Sequence, residues 1–125
     1  MATWNLSGTK HHLLLCNGGS CMLRHAEEVT QAIRSEIALH NADSLIHTTR
    51  TMCNGRCNDA CTVVLYPQGI WYRNLTPSLG RELIRRLLDE KLPLLEQISY
   101  TYQHQQLLAT GRAAVGEFKS AQFNN

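Results

Sequence analysis

The sequence predicts an α/β fold, a four-stranded mixed sheet with helices packed on it. Three observations carry that expectation. A strand-helix-strand pattern occupies residues 11–52, two short strand-like runs follow around Pro67-Gln68-Gly69, and a capped amphipathic helix starts at Thr76-Pro77. At 125 residues the chain fits one domain with a real core. It divides into an N-terminal tail over residues 1–10, a folded unit over residues 11–93, and a C-terminal extension over residues 94–125 that is helical at first and then frays.

The first strand is His11-His12-Leu13-Leu14-Leu15-Cys16, whose continuous apolar run suits a central place in a sheet covered on both faces. His11 and His12 start that strand, far from its cysteine end, and read as solvated residues rather than ligands. Gly18 and Gly19 follow, and adjacent glycines let the backbone curl with positive φ and turn N–H groups inward. Residues 24–40 read as a helix because Ala26, Val29, Ile33 and Ile37 recur at three- and four-residue steps, with Glu27, Glu28, Arg34 and Glu36 on the other face. Residues 45–52 are β-branched and alternate weakly, as a second strand does.

Residues 62–66 and 69–72 form an expected antiparallel hairpin, since Pro67 pre-sets φ for a turn and a glycine follows two residues later. Trp71 and Tyr72 read as packing residues of its second strand. Thr76 offers an N-cap oxygen and Pro77 fits the first helical position; Leu79, Leu83, Ile84, Leu87 and Leu88 then make a stripe opposite Arg81, Arg85 and Arg86, and Pro93 stops the helix. Leu94, Leu95, Ile98 and Tyr102 return at helical steps, which predicts a third helix to about residue 108.

All five cysteines end strands or follow them: Cys16-Asn-Gly-Gly-Ser-Cys21 after the first, and Cys53-Asn-Gly-Arg-Cys57-Asn-Asp-Ala-Cys61 after the second. In a right-handed parallel β-α-β unit both loops leave the same end of the sheet, so thiols from the two converge. Thiolates suit iron–sulfur clusters, zinc and copper(I), and four of them close a coordination sphere. The leading reading is a four-cysteine [2Fe-2S] site. Cytosolic thiols stay reduced and the cysteine count is odd, both of which favour ligation over a disulfide framework.

Twelve Lys+Arg against ten Asp+Glu leave a formal charge of +2, without the basic stripe of a nucleic-acid binder. Residues 1–10 are polar and the apolar run at 13–15 is short, so neither a signal segment nor a membrane span is expected and the default compartment is the cytoplasm.

The element order β-α-β-β-β-α is the thioredoxin-like arrangement. Cys16-x4-Cys21, about thirty intervening residues, Cys53-x-Gly-x-Cys57 and the run Val-Val-Leu-Tyr-Pro-Gln-Gly-Ile-Trp-Tyr together resemble the thioredoxin-like [2Fe-2S] ferredoxins over residues 11–92. The spacings are also similar to those of the small [2Fe-2S] subunit of respiratory complex I. The resemblance implies that Cys16, Cys21, Cys53 and Cys57 bind the cluster. It further implies a one-electron carrier between redox partner proteins, no enzymatic activity and a homodimer.

Cys61 stands where such ferredoxins carry a small residue or proline, which leaves it either beside the cluster or as a substitute ligand when Cys57 is lost. Two other classes compete. A structural zinc module would favour Cys-x2-Cys spacings. A thiol-redox protein using Cys57 and Cys61 would want Cys-x-x-Cys directly after the first strand, and an iron–sulfur sensor would share the ferredoxin's ligands.

Overall fold

The computed structural model describes residues 2–119. Strand β1 (His11–Cys16) runs parallel to β2 (Ile46–Thr51) and antiparallel to β3 (Val63–Tyr66), with Cys16 opposite Thr51 in register. β3 turns into β4 (Ile70–Tyr72) through Pro67, Gln68 and Gly69; Gly69 has φ +70 and donates its N–H to the Leu65 carbonyl. A side chain is excluded at Gly69, because a Cβ there would lie 2.6 Å from that of Tyr102. The hairpin and the parallel β-α-β unit are as the sequence predicts.

Helix α2 (Ala26–Leu39) is the one expected over residues 24–40; a short α1 (Gly19–Leu23), in the stretch read as a loop, precedes it, with His25 between them in the left-handed region at φ 69. Helix α3 (Pro77–Leu88) starts as predicted, Thr76 Oγ1 accepting the Leu79 N–H. It ends before Pro93, at Asp89, where Glu90 takes a positive φ of 53.

Leu13, Leu15, Leu65 and Tyr72 from the sheet meet Ile33, Ile37, Leu83 and Ile84 from α2 and α3 in one core. Each such fully buried side chain contributes about 1.5–3 kcal/mol. The helices thus cover the face that carries Leu13 and Leu15, while Leu14 and Trp71, on the other, remain partly exposed. Cover on both faces of β1, which its apolar run suggested, is helical on one face only.

Glu36 also departs from expectation. Placed by periodicity on the polar face, it is buried between α2 and α3, where His40, Arg81 and Arg85 hydrogen-bond its carboxylate. Two of the three arginines expected to line the solvated face of α3 therefore reach back to this acid.

The largest correction lies beyond residue 93. No third helix forms there; a short 3-10 turn (Leu95–Gln97) leads into β5 (Ile98–Gln103), which pairs with β4, and β6 (Gln106–Ala109) pairs with β5. The sheet has six strands in the order β2-β1-β3-β4-β5-β6, not four. Aromatic and β-branched residues at Ile98, Tyr100, Thr101 and Tyr102 favour the extended chain, and His104 and Gln105, both at positive φ, make a two-residue hairpin turn. The expected frayed end lies partly at residues 120–125, outside the described residues.

Candidate metal centre

Register alone places the site. Since β1 and β2 are parallel and Cys16 lies opposite Thr51, the loops that follow both strands emerge side by side. Gly18 sets how close they come: a Cβ there would stand 2.8 Å from the Cys53 Cα and backbone nitrogen, so only glycine lets them touch. The sequence reading assigned Gly18 and Gly19 a backbone role at positive φ. Gly18 is extended instead, at φ −69 and ψ 173, and Gly19 opens α1 into empty space.

Cys16, Cys21, Cys53 and Cys57 line one small cleft together with Gly18, Ser20 and Arg56. Cys16 and Cys21 form its buried side, and Cys53 and Cys57 its exposed side. The Cys53 and Cys57 sulfurs lie 3.6 Å apart. Two thiolates on one tetrahedral ion, each bonded at ~2.3 Å, stand about 3.8 Å apart, so this pair is already spaced for a shared metal. Gly55, at φ +79, turns its N–H onto the Cys53 sulfur at 3.3 Å.

Backbone N–H groups of Gly18 and Asn54 point at Cys16, and that of Thr62 at Cys21. These are the donors a cluster sulfur or thiolate accepts. Burial pushes the Cys16 thiol up, and Cys21 is raised by its hydrogen bond with Cys61 and then by burial. Among the described residues no group of three or more His, Cys, Asp or Glu side chains is gathered tightly enough to hold a metal ion as the side chains stand.

Cys61 is buried behind Cys21 and does not line the cleft. Its thiol donates to the Arg24 carbonyl at 3.0 Å and, more weakly, to that of Cys21 at 3.6 Å. His11 and His12 are at the far end of β1, with Nδ1 of His11 bonded to Gln68 and Nε2 of His12 to Thr49.

The residues that hold the second loop escaped the sequence reading. Asp59 is completely buried in the 3-10 turn Cys57–Asp59. Its Oδ2 accepts from Arg56 Nη2 at 2.6 Å, its Oδ1 from Arg73 Nε at 3.1 Å, and both take the Ala114 N–H. Arg56 goes on to donate to the Ala114 carbonyl and to lie over the Tyr100 ring, 4.9 Å from its centroid. The loop is therefore pinned to β4, β5 and the segment after β6. An acid between two cysteines was the only local signal.

Residues 4–88 match the family described as thioredoxin-like [2Fe-2S] ferredoxin. This chain belongs to that family. A protein of Priestia megaterium named putative 2Fe-2S ferredoxin is 48% identical over 102 residues, 82% of this chain and 80% of the relative. One from Clostridium pasteurianum is 30% identical over 88 residues, covering 64% and 86%. In three dimensions the chain resembles the crystal structure of the wild-type thioredoxin-like [2Fe-2S] ferredoxin of Aquifex aeolicus, with a TM-score of 0.67, 26% identity, and 72% and 96% of the two chains covered.

Membership makes the [2Fe-2S] cluster the cofactor of this ferredoxin and electron carriage, rather than enzymatic turnover, its class of function. The donor set fits: soft thiolates, inward N–H groups and a cleft that glycine keeps narrow. The zinc and dithiol alternatives fall with this assignment. Redox partner proteins are implied with the family, and no helix among the described residues is long and apolar enough to cross a membrane.

Proposed function

We propose that this ferredoxin passes single electrons between a donor and an acceptor protein in the cytoplasm through a [2Fe-2S] cluster ligated by Cys16, Cys21, Cys53 and Cys57. The observation that carries the reading is the lining of one cleft by these four thiols, two buried and two exposed. The cluster supplies the one-electron couple; the protein supplies ligand geometry, N–H donors and an open side. Partners meet the Cys53–Cys57 side, where Met22, Leu23 and Met52 expose apolar surface. Five free cysteines accord with a reducing compartment. Strand β6, exposed along its whole length at the sheet edge, supports a homodimer.

Serine substitutions test the ligand set, read by visible absorption and iron content. Cys16→Ser or Cys53→Ser leaves little stable cluster, because an alkoxide is a harder donor than iron in this site prefers. Cys61→Ser keeps the full spectrum, since its thiol bonds to carbonyls outside the cleft. If Cys61→Ser abolished the cluster while Cys57→Ser spared it, the fourth ligand would be Cys61.

A further inference from the structure

The end of the sheet opposite the cysteines is also hollow. A cavity of about 310 Å³ opens there, between the start of β1, the β3–β4 hairpin and the end of α3. Its size is at the lower bound of small-molecule sites, roughly 300–1,000 Å³. Ile70, Leu83, Leu87 and Tyr72 are among the residues that line it, with Leu83 and Tyr72 almost fully buried. Around it stand Lys10 and Lys91, with Glu90 the one acid of the lining, His11 tied to Gln68, and Arg86 paired with Glu82 and donating to the Leu92 and Pro93 carbonyls. The balance of charge is positive.

Tyr72 supplies a second, independent observation. Its side chain is fully buried, yet its hydroxyl has no hydrogen-bond partner among the described residues. Buried hydroxyls are seldom left so, because an unpaired polar group loses its hydration without compensation. Burial holds this phenol protonated, up to about 12, with Arg86 acting in the other direction. It is a donor without an acceptor, set in a positively charged apolar hollow.

We propose that this cavity binds a small carboxylate with an apolar body. The carboxylate provides the oxygen acceptor that Tyr72 lacks, in the field of Lys10 and Lys91, and the hydrocarbon lies along Ile70, Leu83 and Leu87. β1 separates the two sites: Cys16 is five residues beyond His11, roughly 17 Å along a strand. The bound carboxylate does not touch the cluster, and the proposal stands apart from the electron-transfer reading.

Octanoate titrated into the cluster-loaded full chain tests it, followed by the methyl resonances of Ile70, Leu83 and Leu87. Saturable shifts are expected at those methyls, with affinity falling about fourfold for each methylene removed on going to hexanoate and butanoate. Octylammonium, of the opposite charge, should not saturate, and octan-1-ol should bind at least tenfold more weakly than octanoate. Tyr72→Phe should weaken octanoate about tenfold. Lys91→Glu, a surface change that leaves the core intact, should do the same and leave the visible spectrum unaltered. The proposal is overturned by an absence of saturable shifts, by equal binding of the alcohol or the amine, or by octanoate affinity unchanged in both variants, which would leave water as the partner of Tyr72.

Discussion

Two carboxylates are sealed inside this protein, Asp59 beside the cluster cleft and Glu36 between α2 and α3, and each is met by two guanidinium groups. Their partners differ in access to water. Arg56 and Arg73, which hold Asp59, are 13% and 25% exposed, whereas Arg81 and Arg85, which hold Glu36, are 40% and 49% exposed. A half-exposed arginine that loses its acid recovers hydration; a buried one cannot. Glu36 is accordingly a clasp between two helices. Asp59 is a fixed point joining the Cys53–Cys57 loop to β4 and the C-terminal segment.

Removing each acid puts the difference to a test, the largest effect expected at Asp59. Asp59→Ala strands two largely buried guanidiniums and frees the Ala114 N–H, a loss of about 3–5 kcal/mol. Thermal unfolding should register it, together with faster release of iron to a chelator. A loss of no more than about 1–2 kcal/mol would place Asp59 in the same class as Glu36.

Glu36→Gln should cost less, about 1–2 kcal/mol, because water takes up the exposed arginines. Its signature is the pH dependence. The hydrogen bond from His40, followed by those from Arg85 and Arg81, holds Glu36 below its ordinary 4.5. A depressed carboxylate contributes stability in full above its unfolded value and loses it as pH falls through its folded value. The gap between wild type and Glu36→Gln should therefore be constant at neutral pH and close below about 4.5. A gap that persisted at acid pH would show that packing, not charge, explains the loss.

The smallest effect discriminates most sharply. Reduction adds one negative charge to the cluster; a unit charge at about 8 Å and an effective dielectric near 20 interacts by roughly 2 kcal/mol, an upper bound of about 90 mV. Arg56→Gln should lower the potential by tens of millivolts, Asp59→Asn should raise it by a similar amount, and Glu36→Gln, about 15 Å along α2 from Ala26, should leave it unchanged. Voltammetry on the three variants reads the order directly, and a shift at Glu36 matching that at Asp59 would erase the distinction.

What the sequence revealed depended on how local each signal is. The stripe of α2, the Thr76-Pro77 cap and the Pro67 turn each act within a few residues, and those elements stand where expected. Parallel pairing of β1 and β2 then brought the cysteines together without any long-range cue. The C-terminal hairpin was hidden because its turn uses His104 and Gln105 at φ 53 and 63, where glycine or asparagine is the usual sign. Meanwhile Leu94, Ile98 and Tyr102 fall by coincidence at helical spacing. Asp59 was hidden for another reason. Its partners Arg73 and Ala114 lie 14 and 55 residues along the chain, a distance over which periodicity carries no information.

The glycine at position 18 bears on how this protein matures. Because Gly18 rests directly on Cys53, backbone packing itself sets the spacing of the two cysteine loops. Cys53 and Cys57 are the exposed pair, so iron and sulfide have to be delivered from that side. The rate of such a step is governed by access to those two sulfurs. Loss of the cluster should leave a folded chain ready to be charged again.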